Sequence, residues 1–210
     1  MLVILTGKSG CGKDTLQEEL IRKENFKKLI STTTRPKREG EIEGREYYFV
    51  DKDKFFQLDK EGFFIEHRSY KTLVNNKKDT WYYGLGKQLS KEDINSDMYI
   101  TILDLDGAKS ARDYYGEDNC IVAYIELDDK IREDRASKRG GFDKSEWDRR
   151  LEDDKKVFSE ENRRGLIDFE ISNEGTICTL KQEFMTYLDM AMLVKGYYKQ
   201  FETPENEYEL

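Results

Sequence analysis

Met1-Leu-Val-Ile-Leu-Thr-Gly7-Lys-Ser9-Gly10-Cys11-Gly12-Lys13-Asp14-Thr15 is the stretch whose reading decides the fold. The apolar run Leu2 to Leu5 reads as a buried strand. A glycine-rich turn follows, then a pattern in which Leu16, Leu20 and Ile21 share one helical face. The spacing Gly7-x-x-x-x-Gly12-Lys13 between strand and helix is that of a phosphate-binding loop. Glycines let backbone N–H groups turn inward around an anion without a Cβ in the way. The positive end of the following helix adds to this, and Lys13 has the reach to touch the outer phosphates of a nucleoside triphosphate. The bland alternative is a glycine-rich turn without function. The agreement of apolar run, spacing and helix weighs against it.

Position 14 departs from the pattern. Loops of this kind carry Ser or Thr there, whose hydroxyl ligates magnesium. Asp14 is a good magnesium ligand and a poor neighbour for phosphate. Three readings stay open: it holds the metal directly, holds it through water, or faces solvent on the first helical turn, where an acid suits the helix dipole.

The chain has 210 residues, the size of one domain with room for an inserted subdomain. Hydrophobic residues make up 37%, enough for a core given the plentiful Tyr and Phe. No apolar run approaches a membrane span, and the N-terminus reads as a core strand rather than a signal peptide. Cys11, Cys120 and Cys178 form no metal-ligand or disulfide framework, which fits a reducing cytoplasm. The net charge of −8 argues against a general nucleic-acid binder. The charge is uneven: residues 1–50 hold ten Lys/Arg against eight Asp/Glu, so the acidic excess lies beyond them. That leaves room for an anionic substrate.

Strand and helix patterns alternate along the chain. Strands are expected at 2–5, 29–33, within 41–51, at 63–67, 99–103, 121–126 and 166–171, with a hairpin over 71–84 turning near Asn75-Asn76. Helices are expected at 13–23, briefly after Gly86, at 128–138, as one long charged helix at 144–163, and at 176–198. The order predicts an α/β doubly wound parallel sheet, with core segments 1–30 and 84–200. A small mixed β-rich subdomain is inserted at 31–83. A short lid is expected at about 136–147, and an acidic tail at 201–210.

The second dense segment is Ser31-Thr-Thr-Thr-Arg35-Pro-Lys-Arg38-Glu-Gly40-Glu41-Ile-Glu-Gly44-Arg-Glu-Tyr47-Tyr48-Phe49. Two arginines three apart on a hydroxyl-rich segment suit a phosphate monoester, whose oxygens guanidinium forks grip bidentately. Tyr47 adds a phenolic hydrogen bond. Alone, such a loop reads as solvated. Beside a phosphate-binding loop it indicates a second phosphate site, so that one nucleotide donates and another accepts.

This segment resembles the acceptor-binding region of guanylate kinases, which reads Ser-x-Thr-Thr-Arg-x-x-Arg-x-Gly-Glu-x-x-Gly-x-x-Tyr-x-Phe. The likeness continues through Phe64-Ile-Glu66, Tyr82-Tyr83-Gly84, Ile102-Leu-Asp104-Leu-Asp106, Arg135-x-x-x-Arg139-Gly140, Arg150-Leu151 and Ile171-Ser-Asn173. The resemblance implies that Ser31, Arg35, Arg38, Tyr47 and Tyr83 hold the acceptor phosphate and that Glu66 accepts hydrogen bonds from the base. It implies that Asp104 and Asp106 lie near magnesium and the acceptor; Asp104 and, on the open loop reading above, Asp14 are the candidate metal ligands. Arg135, Arg139 and Arg150 would close on the phosphates, with Gly140-Gly141 as a hinge, and Asn173 would lie near the adenine of the donor. ATP and Mg2+ are the implied donor and ion, small-molecule nucleotides the partners, with no nucleic acid or membrane.

Elementary chemistry agrees in part. Asp104 and Asp106 end a buried strand, where ligands meet open α/β sheets; simple strand-end solvation is the alternative. Arg135 and Arg139 are one turn apart on a helical face; a salt-bridged surface is theirs. Phosphoryl transfer needs positioning and charge neutralisation more than covalent help, so the lone His67 is not expected to act as a base.

Three departures bear on the acceptor. Besides Asp14, Leu85 stands where guanylate kinases carry a guanine-reading Ser or Thr, and the Asp106–Lys109 stretch is about two residues shorter than the family's equivalent. A related kinase of ribose 1,5-bisphosphate shares the Gly-Lys-Asp loop and the apolar residue after Tyr-Tyr-Gly. The expected activity is transfer of the terminal phosphoryl of Mg·ATP to GMP or dGMP. The alternatives are a same-fold kinase of another acceptor and a non-catalytic peptide-binding module of the same fold.

Overall fold

A computed structural model describes residues 1–74, 77–138 and 142–196. In chain order the elements are β1 (Leu2–Thr6), α1 (Lys13–Lys23), β2 (Lys27–Lys28), β3 (Thr32–Thr33), β4 (Tyr48–Phe49), α2 (Lys52–Lys60), β5 (Phe64–Val74) and β6 (Lys77–Gly86). They continue with β7 (Tyr99–Ile102), α3 (Leu105–Tyr115), β8 (Cys120–Glu126), α4 (Asp129–Ser137), α5 (Lys144–Val157), α6 (Glu160–Arg163), β9 (Phe169–Ser172) and α7 (Ile177–Val194).

β1 is buried along its whole length because it lies mid-sheet, between β7 and β8, in the parallel order β2-β7-β1-β8-β9. Its side chains alternate between two apolar layers. Val3 and Leu5 join Leu16 and Leu20 of α1 and Phe184 and Leu188 of α7. Leu2 and Ile4 face the other way, to Ala108, Ala111 and Tyr115 of α3. The apolar run therefore forms a strand covered on both faces.

The second sheet is mixed, in the order β4-β3-β6-β5. β5 and β6 form a long antiparallel hairpin whose register runs to Val74 opposite Lys77. The expected turn residues Asn75-Asn76 lie outside the described residues. β3 pairs β4 in parallel and β6 in antiparallel fashion.

Helices α2 and α3 are absent from the sequence expectations. Asp51 caps α2, accepting from the Lys54 N–H at 2.7 Å. Phe55, fully buried, stacks on Phe64 with centroids 4.5 Å apart. Phe55 is the one buried side chain by which this largely polar helix is held on the second sheet. α3 is capped by Asp104, whose Oδ1 accepts from the Gly107 N–H at 2.9 Å. A carboxylate expected at a strand end, as ligand or as solvated terminus, thus also starts a helix.

The expected helix at 144–163 is two helices. Phe158 turns inward to pack beside Tyr124, centroids 5.9 Å apart, and Ser159 caps α6 by accepting from the Asn162 N–H. Burial of one aromatic and a serine cap override the continuous charge pattern. The strand expected at 166–171 lies at 169–172, and the closing helix expected at 176–198 lies at 177–194. Residues 197–198 and the acidic tail lie outside the described residues. No helix among the described residues is long and apolar enough to cross a membrane.

The parallel sheet fixes the site. The glycine loop follows β1, Asp104 follows β7, α4 follows β8 and Asn173 follows β9. All four leave carboxyl ends of parallel strands, where open α/β sheets bind ligands.

Candidate functional site

The glycine loop is built for close approach. Gly12 has φ +97°, and a Cβ there would collide with the Asn173 amide. Gly7 has φ +143°, and a Cβ would lie 2.6 Å from the Ile125 carbonyl. Lys13 Nζ donates to the loop's own carbonyls, Gly7 O at 2.7 Å and Lys8 O at 3.0 Å. Its charge is thereby fixed over the loop. Asp14 and Thr15 are exposed on the first turn of α1.

Asn173 is buried under this loop. Its Nδ2 donates to the Cys11 carbonyl at 2.8 Å, and its own carbonyl accepts from Arg135 Nη2 at 2.9 Å. Gly10, Gly12, Thr15, Arg135, Asn173 and Ile177 line an open cleft here.

A buried ion pair that the sequence reading missed anchors the loop from behind. Arg132, 1% exposed, donates from Nη1 to the Ser9 carbonyl at 2.6 Å and to Asp154 Oδ2 at 3.0 Å. Its Nη2 donates to Asp129 at 2.6 Å. Asp154 in turn accepts from the Ser9 N–H at 2.8 Å. Both polar groups of the Ser9 backbone are therefore held by side chains of α4 and α5. Trp147 closes the arrangement, with the Arg132 guanidinium 5.6 Å from its ring centroid and Gly10 beneath it.

Arg35 is buried just beyond β3 of the second sheet. Glu41 grips its fork at 3.0 and 2.6 Å, and the Pro36 carbonyl accepts at 2.8 Å. The Tyr47 and Phe49 rings lie 5.5 and 5.6 Å from the guanidinium carbon. Hydrogen bonding to Arg35 holds the Glu41 carboxyl below its ordinary range. The Arg38 backbone N–H also donates to Glu41, at 2.7 Å, and its side chain is exposed. From Tyr47 an aromatic row runs through Tyr83 to Tyr70, with centroids 5.7 and 5.6 Å apart. Burial, helped by Tyr83 and Asp14, pushes the Tyr47 phenol up to about 12. Tyr47 is thus a neutral donor near physiological pH, and Asp14 is close enough to influence it. Ser31 is half-buried, its carbonyl accepting from the Tyr48 N–H at 3.0 Å.

At the far end of the row Glu66 is 8% exposed. Its Oε1 accepts from the Leu85 N–H at 3.2 Å and its Oε2 from Arg68 Nη1 at 3.1 Å. Burial pushes its carboxyl up against the pull of Arg68. Asp104 Oδ2 lies 3.3 Å from Arg68 Nε and 3.4 Å from the Tyr70 hydroxyl. Asp106 is exposed on the first turn of α3. Leu85 is fully buried in the core layer under α3, so only its backbone serves the site. Arg68 escaped the sequence reading because a single arginine in a charged strand carries no spacing signal.

The structure therefore joins Gly7 to Thr15, Arg135 and Asn173 on one side, and Arg35, Tyr47, Tyr83, Glu66 and Asp104 on the other. Arg150 is exposed and donates to Glu146 on its own helix at 2.9 Å. Arg139 and Gly140-Gly141 lie outside the described residues. Among the described residues no three His, Cys, Asp or Glu side chains gather as a metal-binding set.

The sequence model of guanylate kinase matches residues 1–174. The chain belongs to the guanylate kinase family. It is 32% identical over 184 residues to the guanylate kinase of Prochlorococcus marinus, covering 86% of this chain and 93% of that relative. It is 39% identical over 119 residues to that of Clostridium tetani, covering 56% of this chain and 53% of the relative. With the Nostoc guanylate kinase the match covers 65% of the relative's length. The chain thus spans only half to two thirds of some curated relatives. Among solved structures, the guanylate kinase of Anaplasma phagocytophilum superposes with a TM-score of 0.61 at 23% identity, covering 91% of this chain and 86% of that one. A gluconokinase from Sinorhizobium meliloti superposes with a TM-score of 0.53 at 13% identity, covering 95% and 97%. These likenesses show the fold.

Proposed function

We propose that this member of the guanylate kinase family is an ATP-dependent phosphotransferase that moves the terminal phosphoryl of ATP onto GMP or dGMP. The observation that carries the reading is the pairing of two anion-reading regions in one molecule. The glycine loop with Lys13 faces one nucleotide; the Arg35, Tyr47 and Glu66 set faces another.

The residues fit the donor. The Gly12 position has no room for a side chain, and backbone N–H groups at the start of α1 meet phosphate oxygens there. On binding, Lys13 Nζ exchanges the Gly7 and Lys8 carbonyls for phosphate oxygens. Its charge then faces the transferring group without a reorganisation of the loop, because Arg132 and Asp154 hold Ser9 in place. The cleft bordered by Arg135 and Thr15 suits the donor base.

For Mg2+, the exposed Asp14 carboxylate fits as one ligand, magnesium being bound through one or two carboxylates with phosphates. Asp104 has one oxygen on the α3 cap and the other facing Arg68, so it joins the metal only by giving up Arg68. The ion, when bound, supplies charge neutralisation.

On the acceptor side Glu41 keeps Arg35 in a fixed orientation under the Tyr47 ring, ready for a phosphate monoester. Glu66 accepts the N1–H and N2 amine of guanine with lone pairs left free by Leu85 and Arg68. A coupled assay of ADP release over GMP, dGMP, AMP, other nucleoside monophosphates and ribose 1,5-bisphosphate tests the proposal. Turnover of guanine nucleotides above AMP is expected. Turnover of the ribose bisphosphate alone would move the chain to another acceptor, and absence of nucleotide binding would leave a binding module.

A further inference from the structure

Besides Arg35, the acceptor region holds the guanidinium of Arg68. Arg68 stands two residues after Glu66 on β5, so the two side chains share one face of the sheet. Cross-strand register puts Leu85 opposite Glu66 and Tyr83 opposite Arg68. Arg68 Nη1 donates to Glu66 Oε2 at 3.1 Å. Its Nε is buried, lies 3.3 Å from Asp104 Oδ2 out of alignment, and finds no hydrogen-bond partner. Gly107 closes the floor: a Cβ there would sit 3.3 Å from Glu66 Oε2. A carboxylate and a guanidinium thus lie side by side at the end of the aromatic row, with guanidinium donors unspent.

We propose that Glu66 and Arg68 form a two-residue reader of guanine, in which Arg68 donates to O6 and N7. The inference rests on the guanine-nucleotide reading and deepens it. Along its edge guanine presents two donors, the N2 amine and N1–H, then two acceptors, O6 and N7. Glu66 followed by Arg68 presents two acceptors, then two donors, in the same order. The guanidinium fork matches the O6/N7 pair. Adenine presents an acceptor at N1 and a donor at C6, so it meets both side chains with the wrong polarity. This arrangement also answers the buried, apolar Leu85, which cannot donate to a base carbonyl. The donor has moved from β6 to the neighbouring strand.

The test measures kcat/KM of the full chain for dGMP and for its 7-deaza analogue, in which C–H replaces N7. Wild type, Arg68→Met and Arg68→Lys are compared. A hydrogen bond to a charged group implies a wild-type preference for dGMP of about tenfold or more. Arg68→Met should lower kcat/KM for dGMP by about 10–100-fold, chiefly through KM, and bring the two acceptors level. Arg68→Lys keeps a cation beside Glu66 and Asp104, so it guards against a folding loss; without the fork its preference should fall below the wild-type value. Equal use of dGMP and the analogue by wild type overturns the inference and leaves the guanine-nucleotide reading standing. So does a lysine variant with the full wild-type preference. Absence of turnover with every guanine nucleotide, alongside turnover of another acceptor, overturns both.

Discussion

Asp154→Ala is expected to damage both the fold and the donor loop, and the size of the damage follows from burial. Asp154 is 7% exposed and is the buried counter-ion of Arg132, itself 1% exposed. Removing one member of a buried pair leaves an uncompensated charge and costs about 3–5 kcal/mol. Arg132 keeps Asp129 at 2.6 Å, a half-exposed carboxylate, and the Ser9 carbonyl. The loss should therefore fall near the low end, about 3 kcal/mol. At roughly 2–4 °C per kcal/mol for a chain of this size, Tm falls by about 6–12 °C. Asp153→Ala next door is the control: its carboxylate is 56% exposed and pairs with Arg149 alone among the described residues, so it should cost less than about 1 kcal/mol. The variant carrying Arg132→Met with Asp154→Leu replaces the pair by apolar groups and should recover most of the stability. It does not restore the acceptor of the Ser9 N–H, so KM for ATP should stay raised. Urea titration gives the stabilities, and ADP release at varied ATP gives KM. If Asp154→Ala lies within 1 kcal/mol of wild type, or if the double variant recovers KM along with stability, the loop is not held by this pair.

Lys13→Met should lower kcat by at least about a hundredfold, the scale on which loss of one preorganised charge acts; near-normal kcat in a single-turnover assay would refute its place over the transferring group. If Glu66 reads guanine as proposed, it does so only when ionised, and burial raises its pKa. Falling pH should therefore protonate it sooner than an exposed glutamate, so KM for GMP should rise on the acid side above the ordinary carboxylate range, and a pH profile of KM that is flat down to that range would count against it. Leu85→Ser should cost about 2–5 kcal/mol by opening the core beneath α3, with GMP-over-AMP preference unchanged, since the side chain faces the core; a sharpened preference at full stability would place it against the base. Asp14→Ser should shift the magnesium concentration for half-maximal rate, and an unchanged titration would leave Asp14 as a solvated first-turn acid.

The parts legible in the sequence are those whose residue types admit few environments. A run such as Leu2–Leu5 is unstable in water, and glycines at Gly7 and Gly12 are tolerated where other residues would clash, so strand and loop declare themselves. The hydroxyl- and arginine-rich segment from Ser31 to Phe49 does the same through its spacing. What stayed hidden is charge placed inside. In a chain with 38% charged residues, Arg132, Asp154 and Arg68 look like their solvated neighbours. Arg132 is separated from the exposed Asp134 by one residue, and Asp154 from the exposed Asp153 by none. A helix position is buried only by what packs on it, and here that partner is the Ser9 backbone, 145 residues away from Asp154. Helices α2 and α3 were obscured for a related reason: their caps, Asp51 and Asp104, are acids among acids, and each helix is held by a few apolar groups. Arg132 and Arg68 share one physical role. Arg132 sits behind the donor loop and Arg68 beside the acceptor carboxylates, so each fixes a polar group that would otherwise be free to turn away from a substrate. Burying Arg132 and Asp154 is costly, and that cost is best explained by preorganisation of the glycine loop they hold.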